Sequence, residues 1–175
     1  MKRSPRRTLI NPLLASLLMA PLLWAQSAAA QDSTATRLSQ GNAVISKLSG
    51  GAGQPVLSAM KQDFPFLAEA ITAYSLGDVW SRSVLDDRTR QLATVAAFAA
   101  QGNLATLKVH AGYALRLGVT HDELKEIVYL TTVIAGFPRA IDAAQALREV
   151  FAAQSAVPAA QQPAAVSPPL VAPSR

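Results

Sequence analysis

Hydrophobic residues in the middle of the chain recur at the spacing of one face of an α-helix. Between residues 55 and 153 they return every three or four positions, and no stretch alternates apolar and polar residues as a strand would. The sequence therefore predicts an all-α domain over residues 55–153. The predicted helices cover residues 55–61, 64–74 with a turn at Gly77, 86–101, 103–117, 120–136 and 138–151.

Capping residues mark the ends of several predicted helices. Asp86 or Asp87 can accept a hydrogen bond from the first turn of one helix, and Gly102 can end it. Thr120 and Glu123 have the spacing of a capping box. The helix that precedes Gly102 is apolar on nearly every side, so we expect its own domain or a second subunit to surround it. The sequence thus predicts an obligate homo-oligomer.

The first thirty residues have the organisation of a signal peptide. Four basic residues are followed by an apolar run over residues 13–24 and by a small-residue cleavage site at residues 28–30. The apolar run is short for a membrane span, which needs about 20 residues. We therefore expect Sec or twin-arginine export, a periplasmic or secreted location, and no stable membrane insertion after cleavage.

Two further segments differ in composition from the helical region. Residues 31–54 are rich in polar residues and glycine, which predicts a flexible linker with at most a weak turn of helix at residues 43–48. Residues 154–175 contain five prolines among Ala, Gln and Val, which predicts a disordered tail. The folded domain is accordingly expected to begin at residue 55.

Charge and cysteine content exclude two classes of function. Loss of the leader would remove Lys2, Arg3, Arg6 and Arg7 and lower the net charge from +5 to +1, so nothing favours a nucleic-acid partner. The chain has no cysteine, so thiol chemistry is impossible. Two histidines without a placed carboxylate also do not predict a metal site.

His110 is the best candidate for proton transfer because an imidazole titrates near neutral pH. Thr106 and Tyr113 lie four and three residues away, so their hydroxyls share a helix face with it. A half-buried structural histidine that donates to a backbone carbonyl is the alternative, and spacing by itself does not decide between them.

The motifs of this region resemble those of the carboxymuconolactone decarboxylase family, which shares the alkylhydroperoxidase D-like fold. They are Leu85–Ala97, Leu107–His110, Ala114–Leu115, Gly118–Thr120, Glu123, Glu126 and Ala135–Pro138. The resemblance covers residues 62–151. It implies an all-helical domain that assembles as a homotrimer or homohexamer.

One branch of that family reduces peroxides with a Cys-x-x-Cys pair assisted by a histidine and a glutamate. Aligned on its motif, the histidine falls on His110, the glutamate on Gln91, and the cysteines on Asn103 and Thr106. No thiolate or disulfide can form there, so we expect no peroxiredoxin-type oxidoreductase activity.

The other branch decarboxylates a carboxylated lactone, and the resemblance implies a cofactor-free lyase or isomerase with His110 as proton donor. Loss of CO2 leaves negative charge that cations stabilise, which makes Arg88, Arg90 and Arg139 candidates to bind a carboxylate. Surface or inter-subunit ion pairs are their alternative role. Gln91 could donate to a substrate carbonyl or could be a helix-surface amide.

The sequence leaves two functional hypotheses open. The first is an enzyme for a small carboxylated or lactone substrate, bound by Arg88, Arg90, Gln91, Thr106, Tyr113 and Arg139. The second is a noncatalytic binding or assembly module. Two positions at which chemistry would be lost suggest it. Gln91 stands where the thiol-dependent branch has a glutamate, and Leu130 stands where many relatives have a second polar residue.

Overall fold

The computed structural model describes residues 33–156, and it consists of helices and connecting turns with no strand in that range. The predicted signal peptide and residues 157–175 of the predicted tail lie outside the described residues. The elements are α1 (33–49), α2 (Pro55–Asp63), α3 (Pro65–Ala70), a π-helix (Ile71–Trp80), α4 (Asp87–Gln101), α5 (Leu104–Arg116), α6 (His121–Ala135) and α7 (Phe137–Ser155). The all-α prediction is confirmed.

The predicted caps form at both ends of α4 and at the start of α6. The Asp86 side chain accepts a hydrogen bond from the Thr89 backbone N–H at 2.8 Å, which fixes the first turn of α4. Gly102 ends α4 in the left-handed conformation at φ 74°. Thr120 and Glu123 make both bonds of the capping box. Local sequence therefore defines these boundaries.

The segment predicted to be a flexible linker is largely helical, and for residues 33–49 that prediction was wrong. Leu38, Gly41, Ile45 and Leu48 return at helical spacing, and Leu48 is only 2% exposed. Burial of this face against the rest of the protein stabilises a polar sequence whose composition resembles a linker. The described domain therefore begins at residue 33 instead of 55.

The turn predicted at Gly77 is also wrong, because Gly77 lies inside the π-helix Ile71–Trp80. A Cβ atom at Gly77 would lie 2.2 Å from the backbone oxygen of Arg37, and one at Gly41 would lie 1.9 Å from that of Thr72. Both glycines therefore permit close contact between α1 and the π-helix. The Arg37 side chain also binds Asp78, with Nε 2.9 Å from both carboxylate oxygens.

Helices α4 to α7 pack around the main hydrophobic core. Six of its twelve buried residues are alanines, whose small side chains allow the helix axes to approach closely. The core residues are Val95, Ala99, Leu107, Ala111, Ala114, Val119, Leu124, Val128, Ala140, Ala143, Ala146 and Leu147. This arrangement holds α4 and α5 side by side, so that Gln91 of α4 and His110 of α5 are in contact.

Large apolar side chains remain exposed where α6 ends and α7 begins. They form the α6–α7 apolar surface, defined by Tyr129, Leu130, Val133, Ile134, Phe137 and Ile141, each about half exposed or more. No helix in residues 33–156 is both long and apolar enough to cross a membrane.

Candidate active site

His110 lies on α5 among three aromatic rings. Trp80, at the end of the π-helix, stacks on the imidazole with 5.6 Å between ring centroids. Phe98 of α4 lies 5.3 Å away, and Tyr113 approaches edge-on at 5.8 Å. The aromatic neighbours hold the ring in one orientation and shield it from water.

Gln91 of α4 fixes the protonation pattern of that ring. Its Oε1 atom lies 2.9 Å from His110 Nδ1, so Nδ1–H donates to the amide oxygen. Gln91 is fully buried, and its Nε2 atom has no hydrogen-bond partner among the described residues. The alternative of a helix-surface amide is therefore wrong. With Nδ1 carrying the hydrogen, Nε2 of His110 is the basic nitrogen.

Burial lowers the pKa of His110 from 6.5 to about 4. Desolvation disfavours the imidazolium, and no neighbouring charge offsets it. The ring is therefore neutral at pH 7 in the unliganded protein, and it can accept a proton more readily than it can donate one.

A cavity of about 410 Å³ lies beside His110, within the range of small-molecule sites. Its inner wall comes from the π-helix and α5. This wall is formed by Ile71, Leu76, Trp80, Ala105, Thr106, Val109, His110 and Tyr113. The structure thus places the three sequence candidates on α5 at one cavity.

The outer wall of the same cavity comes from residues that precede residue 65. It is formed by Ile45, Leu48, Gln54, Val56, Leu57 and Met60. Sequence reasoning missed all six, because they fall in the predicted linker or in a short helix with no recognised role. The helical spacing of Leu38, Gly41, Ile45 and Leu48 was the available signal. Trp80 was missed as well, since an isolated tryptophan gives no periodic signal.

The two hydroxyl-bearing candidates on α5 supply hydrogen-bonding groups to the cavity. Tyr113 is 9% exposed, and burial raises the pKa of its phenol, so it stays protonated near neutral pH. Thr106 lies one helical turn before His110 and borders the same space. Two hydroxyl-bearing residues and one neutral imidazole therefore border the cavity.

The three arginines predicted to bind a carboxylate do not line this cavity. Arg88 forms an ion pair with Glu123 at the start of α6. Arg90 donates to the backbone oxygens of Arg82 and Leu85, at 2.8 and 3.3 Å. Arg90 also lies over the Trp80 ring, 5.8 Å from its centroid. In the structure both side chains therefore bind other groups of the protein, and neither lines the cavity.

Arg139, the third arginine predicted to bind a carboxylate, also does not line the cavity. It is exposed, and its guanidinium lies beside Gly102, where α4 ends. A cation at this position interacts favourably with the carbonyl groups of the last helical turn. Within residues 33–156, no three His, Asp or Glu side chains converge as metal ligands would.

The sequence profile of the Carboxymuconolactone decarboxylase family matches residues 65–149. The 4-carboxymuconolactone decarboxylase of Acinetobacter baylyi is 37% identical over 95 residues, which are 54% of this chain and 69% of that protein. The nitrosuccinic acid decarboxylase of Metarhizium robertsii is 34% identical over 91 residues, or 50% of this chain and 64% of that protein.

An uncharacterized protein of Methanocaldococcus jannaschii is also similar, with 28% identity over 94 residues that are 54% of this chain and 87% of that protein. The matched region holds Gln91, His110, the helices α4 to α6 and most of α7, whereas α1 and α2 precede the profile match. On this similarity, together with the all-helical fold, the chain belongs to the carboxymuconolactone decarboxylase family.

Proposed function

We propose that this protein is a cofactor-free decarboxylase for a small organic acid and that His110 moves the proton. The observation that carries the proposal is a neutral, desolvated imidazole bordering a 410 Å³ cavity. Two relatives whose names include "decarboxylase" support the same class of reaction. A lyase is therefore the activity that fits the site best.

The reaction divides into two proton transfers at Nε2 of His110. The substrate carboxyl group gives its proton to Nε2, the C–C bond to the carboxylate breaks, and CO2 leaves. The electron pair stays on the substrate, where an adjacent carbonyl or similar acceptor group must delocalise it. The imidazolium then returns the proton to carbon, so that R–COOH becomes R–H and CO2.

This order of proton transfers refines the role predicted for His110. The sequence suggested a proton donor, but burial lowers the pKa of the resting ring to about 4. The imidazole therefore becomes a donor only after it has taken the proton of the substrate. Gln91 would act as a positioning residue, since its oxygen holds Nδ1–H and presents Nε2 as the base. The Tyr113 and Thr106 hydroxyls could donate to the developing negative charge.

A noncatalytic binding module is the second candidate function. One observation favours it, because no cationic side chain occurs among the described residues that line the cavity. A decarboxylase without a cation must rely on neutral donors to stabilise the transition state. Such a cavity could bind an acid and leave it unchanged.

Turnover of small β-keto acids and carboxylated lactones, measured as CO2 release in D2O, separates the two candidates. An enzyme should release CO2 and place one deuterium on the carbon that lost it. Replacement His110→Gln should then lower turnover by about 10²–10⁴-fold with the fold retained. His121→Gln is the matched control, because His121 contacts Gln154 and Phe151 and does not line the cavity. Equal turnover in His110→Gln and the unaltered protein would contradict the proposal.

Export and self-assembly form the remaining part of the proposed function. The leader composition supports a periplasmic or secreted protein, and the mass of the protein recovered from the periplasm should correspond to cleavage near residue 30. The α6–α7 apolar surface supports self-association, with a second copy of this chain as the occupant, and the family resemblance implies a homotrimer or homohexamer. Recovery of only the full-length, cytosolic protein would contradict export.

A further inference from the structure

The outer wall of the cavity beside His110 belongs to a part of the chain that the family profile does not match. Five of its six residues are apolar, and the sixth, Gln54, carries an uncharged amide. The matched region supplies the reactive ring, while α1 and α2 determine how much room remains in front of it. Six of the fourteen residues that line the cavity therefore come from this segment.

Close packing holds α1 in place. Arg37 binds Asp78 through both carboxylate oxygens, and Gly41 and Gly77 bring α1 and the π-helix within backbone contact. Lys47 of α1 also pairs with Asp87 at the start of α4. The part of the outer wall that α1 supplies, Ile45 and Leu48, is thus a fixed part of the fold.

The residues around this cavity carry no formal charge at pH 7. Its described lining contains no Asp, Glu, Lys or Arg. His110 is faced by Trp80 from the π-helix, Phe98 and Gln91 from α4, and Tyr113 from α5. An anion that entered this space would lose its hydration shell without gaining a cation.

The charged groups on the surrounding elements do not line the cavity. The positive charge of Arg116 on α5 partly opposes the raised pKa of Tyr113, and Nε of Arg90 is buried without a hydrogen-bond partner among the described residues. Asp78 of the π-helix binds Arg37, and Lys108 of α5 binds Glu149. Arg90 of α4 lies over Trp80 and donates to backbone oxygens. Tyr113 is the one titratable neighbour in ring contact with His110 in residues 33–156, and it is neutral. A bound carboxyl group must therefore bring its own neutralising proton.

We propose that the cavity binds a carboxylic acid with one carboxyl group and an apolar body, and that one proton enters with it and is shared with Nε2 of His110. The choice of a carboxylic acid rests on the proposed function, but binding of this kind requires no turnover. A second carboxylate on the ligand would meet five apolar residues and the uncharged amide of Gln54 but no cation, so dicarboxylates are rejected.

The pH dependence of binding tests the shared proton. Between pH 5.5 and 7.5 a free carboxylic acid with a pKa near that of Glu, about 4.3, is ionised, and free His110 is neutral. The complex then holds one more proton than its separated components, so its dissociation constant should rise about tenfold per pH unit. Cyclohexanecarboxylic acid is the probe, and cyclohexanecarboxamide is the neutral control whose affinity should not change with pH.

Calorimetry with these probes at pH 5.5, 6.5 and 7.5 gives clear outcomes. Tighter binding of the acid at low pH, with constant binding of the amide, supports the proposal. An acid affinity independent of pH would overturn it. Equal or tighter binding of cyclohexane-1,4-dicarboxylic acid would also overturn it, because the cavity would then accept a second charge.

Variants of α2 test the part played by the outer wall. Met60→Trp should fill the cavity and weaken binding of cyclohexanecarboxylic acid at least tenfold, whereas Ala59→Trp on the exposed side of the same helix should not. Unchanged affinity in a folded Met60→Trp protein would show that the acid binds elsewhere.

Proton-coupled binding without CO2 release would refute only the decarboxylase proposal, and CO2 release from dicarboxylates alone would refute only this inference.

Discussion

The Nδ1 atom of His110 lies 2.9 Å from Oε1 of Gln91, and this bond joins α5 to α4. The amide accepts the Nδ1 hydrogen, which leaves Nε2 as the basic nitrogen. A glutamate at position 91 would instead favour the imidazolium. Gln91 on α4 therefore makes Nε2 the basic nitrogen, while burial keeps the resting ring neutral.

The free energy of unfolding should depend on pH because His110 is buried in the folded protein. The folded-state pKa of about 4 lies below the unfolded value of 6.5, so the unfolded chain binds the proton more tightly. The contribution of neutral His110 to the free energy of unfolding is fully present above about pH 6.5 and is lost as pH falls towards 4. Between pH 7.5 and 5.0 the loss should reach at most about 2 kcal/mol.

Urea denaturation of the unaltered protein and of His110→Gln at these two pH values measures that loss. The variant should lose less stability than the unaltered protein, because glutamine does not titrate. NMR titration of the His110 ring should give a pKa near 4 directly. A ring that titrates at 6 or above in the unliganded protein would contradict the burial seen in the structure.

Replacement Gln91→Glu should raise the pKa of His110. A carboxylate beside Nδ1 stabilises the imidazolium, and a shift of about 1–3 pH units is expected. NMR titration measures it, with Gln101→Glu at the exposed end of α4 as the matched control. Gln91→Leu should leave Nδ1–H without an acceptor and lower the free energy of unfolding by about 1–3 kcal/mol. An unchanged histidine pKa in Gln91→Glu would show that the bond is absent.

Replacement Gly77→Ala should destabilise the protein and open the cavity. The new Cβ would lie 2.2 Å from the Arg37 backbone oxygen, so α1 must move away from the π-helix. We expect a loss of about 1–3 kcal/mol in the free energy of unfolding. Gly112→Ala is the control, because a Cβ there meets nothing within 4 Å, and the better helix propensity of alanine should stabilise it. Equal stability of the two variants would contradict the close packing of α1.

Charge placed on the α6–α7 apolar surface should reduce assembly. Val133 is 82% exposed, and Val133→Lys would require a lysine to be buried at the proposed contact between copies. Light scattering after size exclusion should show smaller particles for this variant. Val84→Lys is the matched control, since Val84 is 86% exposed and lies in the turn before α4. An identical particle mass for both variants and the unaltered protein would contradict assembly through this surface.

The elements that sequence analysis predicted well are those defined by local chemistry. Asp86, Gly102 and Thr120 form their caps within one turn of the helix they limit, so their effect can be read without knowing the fold. His110 and Tyr113 were grouped correctly because both lie on one face of a single helix. These relationships involve short separations along the chain.

The arginines show where this reasoning fails. Arg88 and Arg90 are chemically suited to bind a carboxylate, but their partners come from α6 and from the turn before α4. Which way a side chain points depends on the packing of its helix against others, and helical spacing does not contain that information. The same limit applies to Gln91, whose burial depends on the close approach of α4 and α5.

The sequence by itself determined the all-helical class, most helix boundaries, the absence of thiol chemistry and the family, because these follow from periodicity, caps, composition and motif order. Tertiary structure decided that residues 33–49 form a helix, that this helix and α2 complete the cavity, and that His110 is neutral. The physical reason is that α1 gains its stability from burial against the π-helix, and the pKa of His110 depends on the water that its neighbours exclude.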